Sequence, residues 1–306
     1  RRAGVVRVRW RRGQGGGQVE DMGGRRSRGG LPVPGGLGGG VGGLGLVGVI
    51  IVVLVTVLGG GGGGGFGIDP GAVDAFPQAP SAQGPGFEDQ APDPDDELRQ
   101  FVAFVVADVQ RSWDRAFARA GLSYEPTRLR LFQGAVDTGC GRASSATGPF
   151  YCPADRFVYL DLSFFRELRD RYGAPGDFAQ AYVIAHEFGH HVQNILGTLP
   201  QVSRLQGERP SDANELSVRL ELQADCYAGI WGRSAYDDQL LEEGDLEEGL
   251  AAAAAVGDDR LQTRATGTYD RETFTHGSSE QRRRWFLVGF QDGRVDACNT
   301  FEPSEV

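Results

Sequence analysis

The sequence predicts a mainly helical α+β domain with a small β-sheet, preceded by one transmembrane helix. Three observations carry that expectation. Beyond residue 95, apolar residues recur at spacings of three and four in most segments. Only TRLRLF (127–132) and FVYLDL (157–162) alternate as half-buried strands do. An uncharged run, VGGLGLVGVIIVVLVTVL (41–58), separates a basic leader from an acidic remainder.

Residues 1–30 hold nine arginines against Glu20 and Asp21, a net charge of +7, whereas residues 59–306 carry 22 arginines against 39 acids, a net −17. At 1.5 Å per residue the uncharged run spans about 27 Å, enough for one crossing if Leu37 to Gly40 contribute. Basic flanks stay in the cytoplasm. The expected layout is therefore a basic Gly/Arg-rich cytoplasmic segment (1–36), a transmembrane anchor (37–58), a Gly/Pro-rich flexible linker (59–94) and an extracytoplasmic folded domain (95–306). The long leader, with no A-x-A site after the apolar run, favours an anchor in the cytoplasmic membrane over a cleaved signal peptide. All 31 basic residues are arginine, a bias that fits GC-rich coding, and the acidic domain gives no reason to expect a nucleic-acid partner. The glycine runs at 35–48 and 59–65 lack the Lys-Ser/Thr ending of a phosphate-binding loop.

The first domain helix, 95–121, opens on acids, carries the apolar edge Phe101/Val105/Val109/Trp113/Phe117 and stops at Gly121. The strand at 157–162 runs into a short helix, SFFRELRDRYG (163–173). Asp177 is a natural N-cap for the next helix, whose stripe is Phe178, Tyr182, Ala185, Gly189, Val192 and Leu196, with Gly197 as its stop. A helix over 211–235 follows Pro210 and buries Leu216, Leu220, Ala224, Tyr227 and Trp231. Residues 245–260 and 278–292 read as two more helices.

The helix from Asp177 contains AHEFGHHVQ (185–193), an HExxH motif. At about 100° per residue, His186 and His190 lie roughly 40° apart on one face, so both imidazoles can reach one metal ion. Glu187 stands beside them to act on a water. A catalytic zinc takes three protein ligands and keeps one position open, so a third ligand is required. HExxHxxGxxH is excluded, because Gln193 and Leu196 stand where its glycine and third histidine would be. Glu221 and Asp225, at i and i+4 on the next helix, offer a ligand and a carboxylate to hold the outer N–H of a liganding histidine. Asp225, Glu215 and Glu208 remain rival ligands, although Glu215 has Arg219 four residues on and Glu208 reads as loop.

Four cysteines in an exported domain suggest two disulfides. Cys140 and Cys152 bracket a Gly/Ser-rich loop, and Cys226 would tie the Glu221 helix to Cys298. No CxxC or Cys/His spacing supports a cysteine metal site.

Together AHEFGHHVQ (185–193), RLELQADCYAGIW (219–231), DTGCGRASSATGPFYCPADRFVYLDLSFF (137–165) and THGSSEQRRRWFLVGF (275–290) resemble a bacterial membrane-anchored family of neutral zinc metallopeptidases. The matches cover nearly all of residues 95–301. The resemblance implies a zincin-like domain behind an N-terminal anchor, with Zn2+ held by His186, His190 and Glu221 and with Glu187 as general base. The separation from His190 to Glu221 is longer than in the thermolysin branch, so subsites are not carried over from there.

The expected reaction is hydrolysis of a peptide bond in a protein or peptide substrate, with Glu187 taking a proton from the attacking water and returning it to the leaving amine. His276, alone in the polar turn TFTHGSSEQR, is the candidate oxyanion stabiliser or substrate contact; its other reading is a loop-to-helix cap around Ser278. His191, rotated about 100° from His190, has packing as its default role. Two further classes share the scaffold: a zinc amide hydrolase acting on cell-wall peptide, and a catalytically silent zincin-like binding protein.

Overall fold

The structure, a computed structural model, describes residues 8–10, 17–22 and 94–302. Strand β1 (Val19–Asp21) lies in the second of these stretches. Helix α1 (Pro94–Arg119) starts with Asp95, Asp96 and Glu97, where acids meet the positive end of the helix dipole. It buries the edge expected from its spacing, Phe101 to Phe117, and Gly121 leaves the helix at φ 70°. Strand β2 (Leu129–Phe132) is followed by a hairpin of β3 (Ala135–Thr138) and β4 (Gly141–Ser144), then by β5 (Phe150–Cys152) and β6 (Phe157–Asp161). The main sheet has the order β1-β2-β6-β5, parallel except for the β5–β6 pair. Leu131 and Leu160 face each other across β2 and β6 and are both buried.

The sheet takes in residues that precede the expected domain start. Although the sequence reading starts the folded domain at Asp95, Val19 to Asp21 pair with Leu129 to Leu131. The two acids of the basic leader are what fasten it: Glu20 pairs with Arg128 and Arg130, and Asp21 with Arg99. Val8 is buried, and Trp10 meets Phe101 edge-on at 5.8 Å. The proposed anchor (37–58) and all but the last residue of the linker lie outside the described residues. Among the described residues no helix is long and apolar enough to cross a membrane.

Helices α2 (Ser163–Asp170), α3 (Asp177–Ile195), α4 (Thr198–Glu208), α5 (Ala213–Asp237), α6 (Asp245–Ala255), α7 (Asp258–Thr266) and α8 (Ser279–Asp292) complete the domain. Gly176 rather than Asp177 is the N-cap of α3, and residues 178–193 are all buried except Gln180. The expected stripe is thus only part of the buried surface, because α3 runs through the middle of the domain; Leu196, placed on that stripe by spacing, is exposed. Residues 198–208 form α4, so Glu208 ends a helix instead of lying in a loop. The single helix expected over 245–260 is two, broken at Val256-Gly257.

Two close approaches set the geometry of the site. A Cβ on Gly189 of α3 would lie 3.0 Å from the Ala224 carbonyl oxygen of α5, and one on Gly289 of α8 would lie 1.9 Å from that of Cys226. Glycine there lets three helix backbones approach around residues 221–226. Disulfides join Cys140 to Cys152 and Cys226 to Cys298, as the sequence suggests, with Cα separations of 5.8 and 5.6 Å.

Candidate metal centre

The i, i+4 spacing on α3 brings the His186 and His190 rings to a centroid distance of 4.9 Å, nearly perpendicular at 89°. Across from them on α5, Glu221 offers one oxygen 3.2 Å from His186 Nε2 and the other 3.5 Å from His190 Nε2. Ligand atoms of these three residues lie within 4.8 Å of one another. The rivals are elsewhere: Glu215 pairs with Arg219 at 2.8 Å, and Glu208 reaches toward Arg204 at the exposed end of α4.

Both histidines have their other nitrogen occupied. His186 Nδ1–H donates to Asp225 Oδ1 at 2.9 Å, and His190 Nδ1–H donates to Gln193 Oε1 at 2.8 Å. Each ring is thus held from behind with its Nε2 edge turned toward Glu221, where a metal would bind once that edge gives up its proton. This is the fit a tetrahedral zinc requires: two imidazole nitrogens and a carboxylate oxygen converging, each ring held from behind. Asp225 is completely buried and also accepts from Tyr182 and from Arg282, whose Nε and Nη2 lie 2.8 and 3.0 Å from its two oxygens. Gln193 is fixed in turn, its Nε2 donating to the Leu220 carbonyl at 2.7 Å and to Gln223 Oε1 at 3.2 Å. Gln223 donates to the Cys298 carbonyl at 3.0 Å, so the second disulfide adjoins this chain of contacts.

Burial opposes charge on every group here, and neighbours decide the outcome. Burial pulls His186 down, but the charge and hydrogen bond of Asp225, joined by Glu221, carry it up to about 10. Glu221 is held below the usual carboxylate range against its own burial by His190 and His186. Asp225 is likewise kept low against burial, chiefly by Arg282 and then His186. Glu187 goes the other way: burial raises it, with His190 and His186 only partly compensating.

A cavity of about 650 Å³ opens over the centre and is lined by His186, Glu187, His190, Glu221, His276 and Arg282. Apolar walls come from Phe150, Phe164, Tyr172, Val183 and Leu261. The loop-to-helix cap expected around Ser278 is present, as the capping box of Ser278 and Gln281 on α8, and His276 lines the cavity. Its Nδ1 lies 3.3 Å from Asp258 Oδ1, while the other Asp258 oxygen accepts the backbone N–H groups of Thr275, His276 and Gly277. Burial would lower His276, yet Asp258 and the nearby Glu221 raise it. His191 has the packing role expected of it, donating from Nε2 to the Glu125 carbonyl at 2.7 Å and accepting the Tyr151 hydroxyl at Nδ1.

The family model described as "Putative neutral zinc metallopeptidase" matches residues 8–301. The chain belongs to this family. It is 50% identical to the uncharacterized protein YpfJ of Escherichia coli K12 over 211 residues, 69% of this chain and 74% of that one. It is 42% identical to the uncharacterized protein Rv2575 of Mycobacterium tuberculosis H37Rv over 256 residues, 78% of this chain and 85% of that one. No solved structure matches it. The match begins at Val8, which accords with the docking of the leader on the domain.

Three site contributors escape the sequence reading. Arg282 is one of three consecutive arginines, Asp258 follows a glycine at a helix start, and Gln193 is noticed only for not being glycine. Their type alone carries no signal; the fold gives them partners.

Proposed function

We propose that this member of the family is a zinc-dependent peptidase in which His186, His190 and Glu221 hold the metal and Glu187 is the general base. The observation that carries the reading is the convergence of three potential ligand atoms beside Glu187, with Asp225 and Gln193 behind the two imidazoles. Zinc bound there would supply a Lewis acid for the carbonyl and lower the pKa of a water toward about 7. Glu187, dry enough to take a proton, accepts one from that water and passes it to the leaving amine. His276, oriented by Asp258 and inclined to carry a proton, donates from Nε2 toward the carbonyl oxygen as negative charge builds. The apolar walls of the cavity suit a peptide side chain next to the bond that is cut.

Membrane association through residues 37–58 belongs to the same proposal. The pairing of β1 with β2 supports an arrangement in which residues 19–21 and the catalytic domain share one side of the membrane.

The test uses the full chain, since a start at Asp95 would remove β1. Zinc content is measured, and cleavage of a mixed peptide library is compared for wild type and Glu187→Gln. One zinc per chain with Glu187-dependent cleavage is expected; one zinc with no such cleavage would sink the peptidase reading.

A further inference from the structure

A second carboxylate cluster stands apart from the centre, where the N-terminal ends of α3 and α6 meet. Asp177 opens α3, and Asp245 and Glu248 lie in the first turn of α6. One oxygen of each lies within 4.8 Å of the other two. Asp245 is 0% exposed; one oxygen accepts the Glu242 N–H at 2.8 Å, and Oδ1 has no hydrogen-bond partner. Asp177 repeats the pattern, with Oδ2 accepting the Val8 N–H at 2.8 Å and Oδ1 without a partner. Glu248 Oε2 is buried and also without a partner. The carboxylate of Glu248 reaches across Gly176, where a Cβ would fall 1.7 Å from Oε2.

A fully buried carboxylate flanked by two half-buried ones, each with an unpartnered buried oxygen, is costly unless something positive joins them. Burial and mutual repulsion push Asp177 up to about 6 and Glu248 to about 7, the mark of a pocket short of a cation. The donors are all oxygen, with no histidine or cysteine among them, which suits a hard ion. Calcium accepts irregular oxygen sets and both mono- and bidentate carboxylates, whereas magnesium demands near-ideal octahedral geometry.

We propose that Asp177, Asp245 and Glu248 form a second metal site, for calcium or a similarly hard cation, that fastens Val8 and the N-terminal segment to the starts of α3 and α6. Asp177 lies nine residues before His186 on the same helix, about 13 Å along its axis, so the site steadies the helix that carries the motif.

The test adds terbium, a luminescent probe for hard oxygen sites, to full-length protein already loaded with zinc and freed of calcium. Trp231 stacks on Phe178, the neighbour of Asp177, at 5.6 Å and can sensitise the emission. Emission saturating at one terbium per chain and displaced by calcium is expected. Glu248→Gln, and Gly176→Ala with its Cβ in the path of Glu248, should weaken binding at least tenfold. Glu221→Ala should leave it unchanged, which separates this site from the zinc centre. Should those variants misfold, wild type alone decides: calcium must raise the Tm of the zinc-loaded chain. No saturable emission, binding that survives Glu248→Gln in folded protein, or a Tm indifferent to calcium would overturn the proposal.

Discussion

Asp225→Asn tests whether the buried carboxylate serves the zinc centre or only the packing of α5 against α8. Asp225 accepts from His186 Nδ1 at 2.9 Å and from two Arg282 nitrogens at 2.8 and 3.0 Å, with no exposed surface. Asparagine keeps the size, but it loses the charge and turns an NH2 group toward donors. The Arg282 guanidinium is then buried without its counter-charge, and removing one partner of such a pair costs ~3–5 kcal/mol. Loss of the group behind a liganding histidine lowers metal affinity ~10–100-fold, which is about 1.4 to 2.7 kcal/mol. Urea unfolding in chelator reads the first quantity without zinc. Competition against a chromophoric chelator reads the second. Adding Arg282→Met to Asp225→Asn removes the orphaned cation, so most of the stability returns while zinc affinity stays low. If folded Asp225→Asn binds zinc as tightly as wild type, Asp225 does not orient His186 and the argument fails.

Glu221→Ala should abolish tight zinc binding, and Glu215→Ala should leave it intact; the same chelator competition reverses the assignment if the outcomes are exchanged. His186 is raised to about 10 in the metal-free protein, so zinc must displace a proton from it. Apparent zinc affinity should therefore climb with pH up to about tenfold per unit between roughly pH 7 and 9, whereas a flat profile would contradict the raised value. The sign is opposite for metal-free stability: a raised histidine contributes most below its unfolded pKa near 6.5, and that contribution is lost as pH rises toward about 10. Replacing Cys298 with Ser opens a loop spanning 72 residues and should cost about 4 kcal/mol by loop entropy, seen as a lowered urea midpoint. Single cysteines placed at Gln18 and at an exposed position of the catalytic domain, in a background lacking reactive thiols, should react together with a membrane-impermeant thiol reagent; labelling of only one would refute the shared side.

What the sequence discloses is chemistry held at helical spacing. His186 and His190 share a face of α3 by the angle per residue alone, and Glu221 and Asp225 do so on α5 for the same reason. Contacts between elements are less legible. Nothing in Arg282-Arg283-Arg284 distinguishes the residue that enters the core from its two neighbours; the close approach at Gly289 does. Asp258 acquires its role because Gly257 lets the chain pass within van der Waals contact of Ser279, which also breaks the alanine-rich helix there. α4 hides between Gly197 and Pro210 with Pro200 in its first turn, residues that read as loop although proline is tolerated there. β1 is three residues long within a glycine-rich leader and has little periodicity to detect.

That strand bears on how the protein meets a membrane. Hydrogen bonds from Leu129 N to the Gln18 carbonyl and from Met22 N to the Leu131 carbonyl, both 2.9 Å, tie the leader to β2. The uncharged run at 41–58 lies between these partners in the sequence. A bilayer crossed once between residues 22 and 94 would stand between the two strands, so that crossing and this pairing exclude each other in one molecule. Glu20 and Asp21, the two acids within the leader's net charge of +7, are bound to arginines of the domain itself. The docked strand also covers the sheet edge opposite β5, whose Phe150 and Tyr151 line the cavity. Covering that edge removes a row of unpaired backbone groups from solvent, so the leader acts as part of the catalytic domain's sheet.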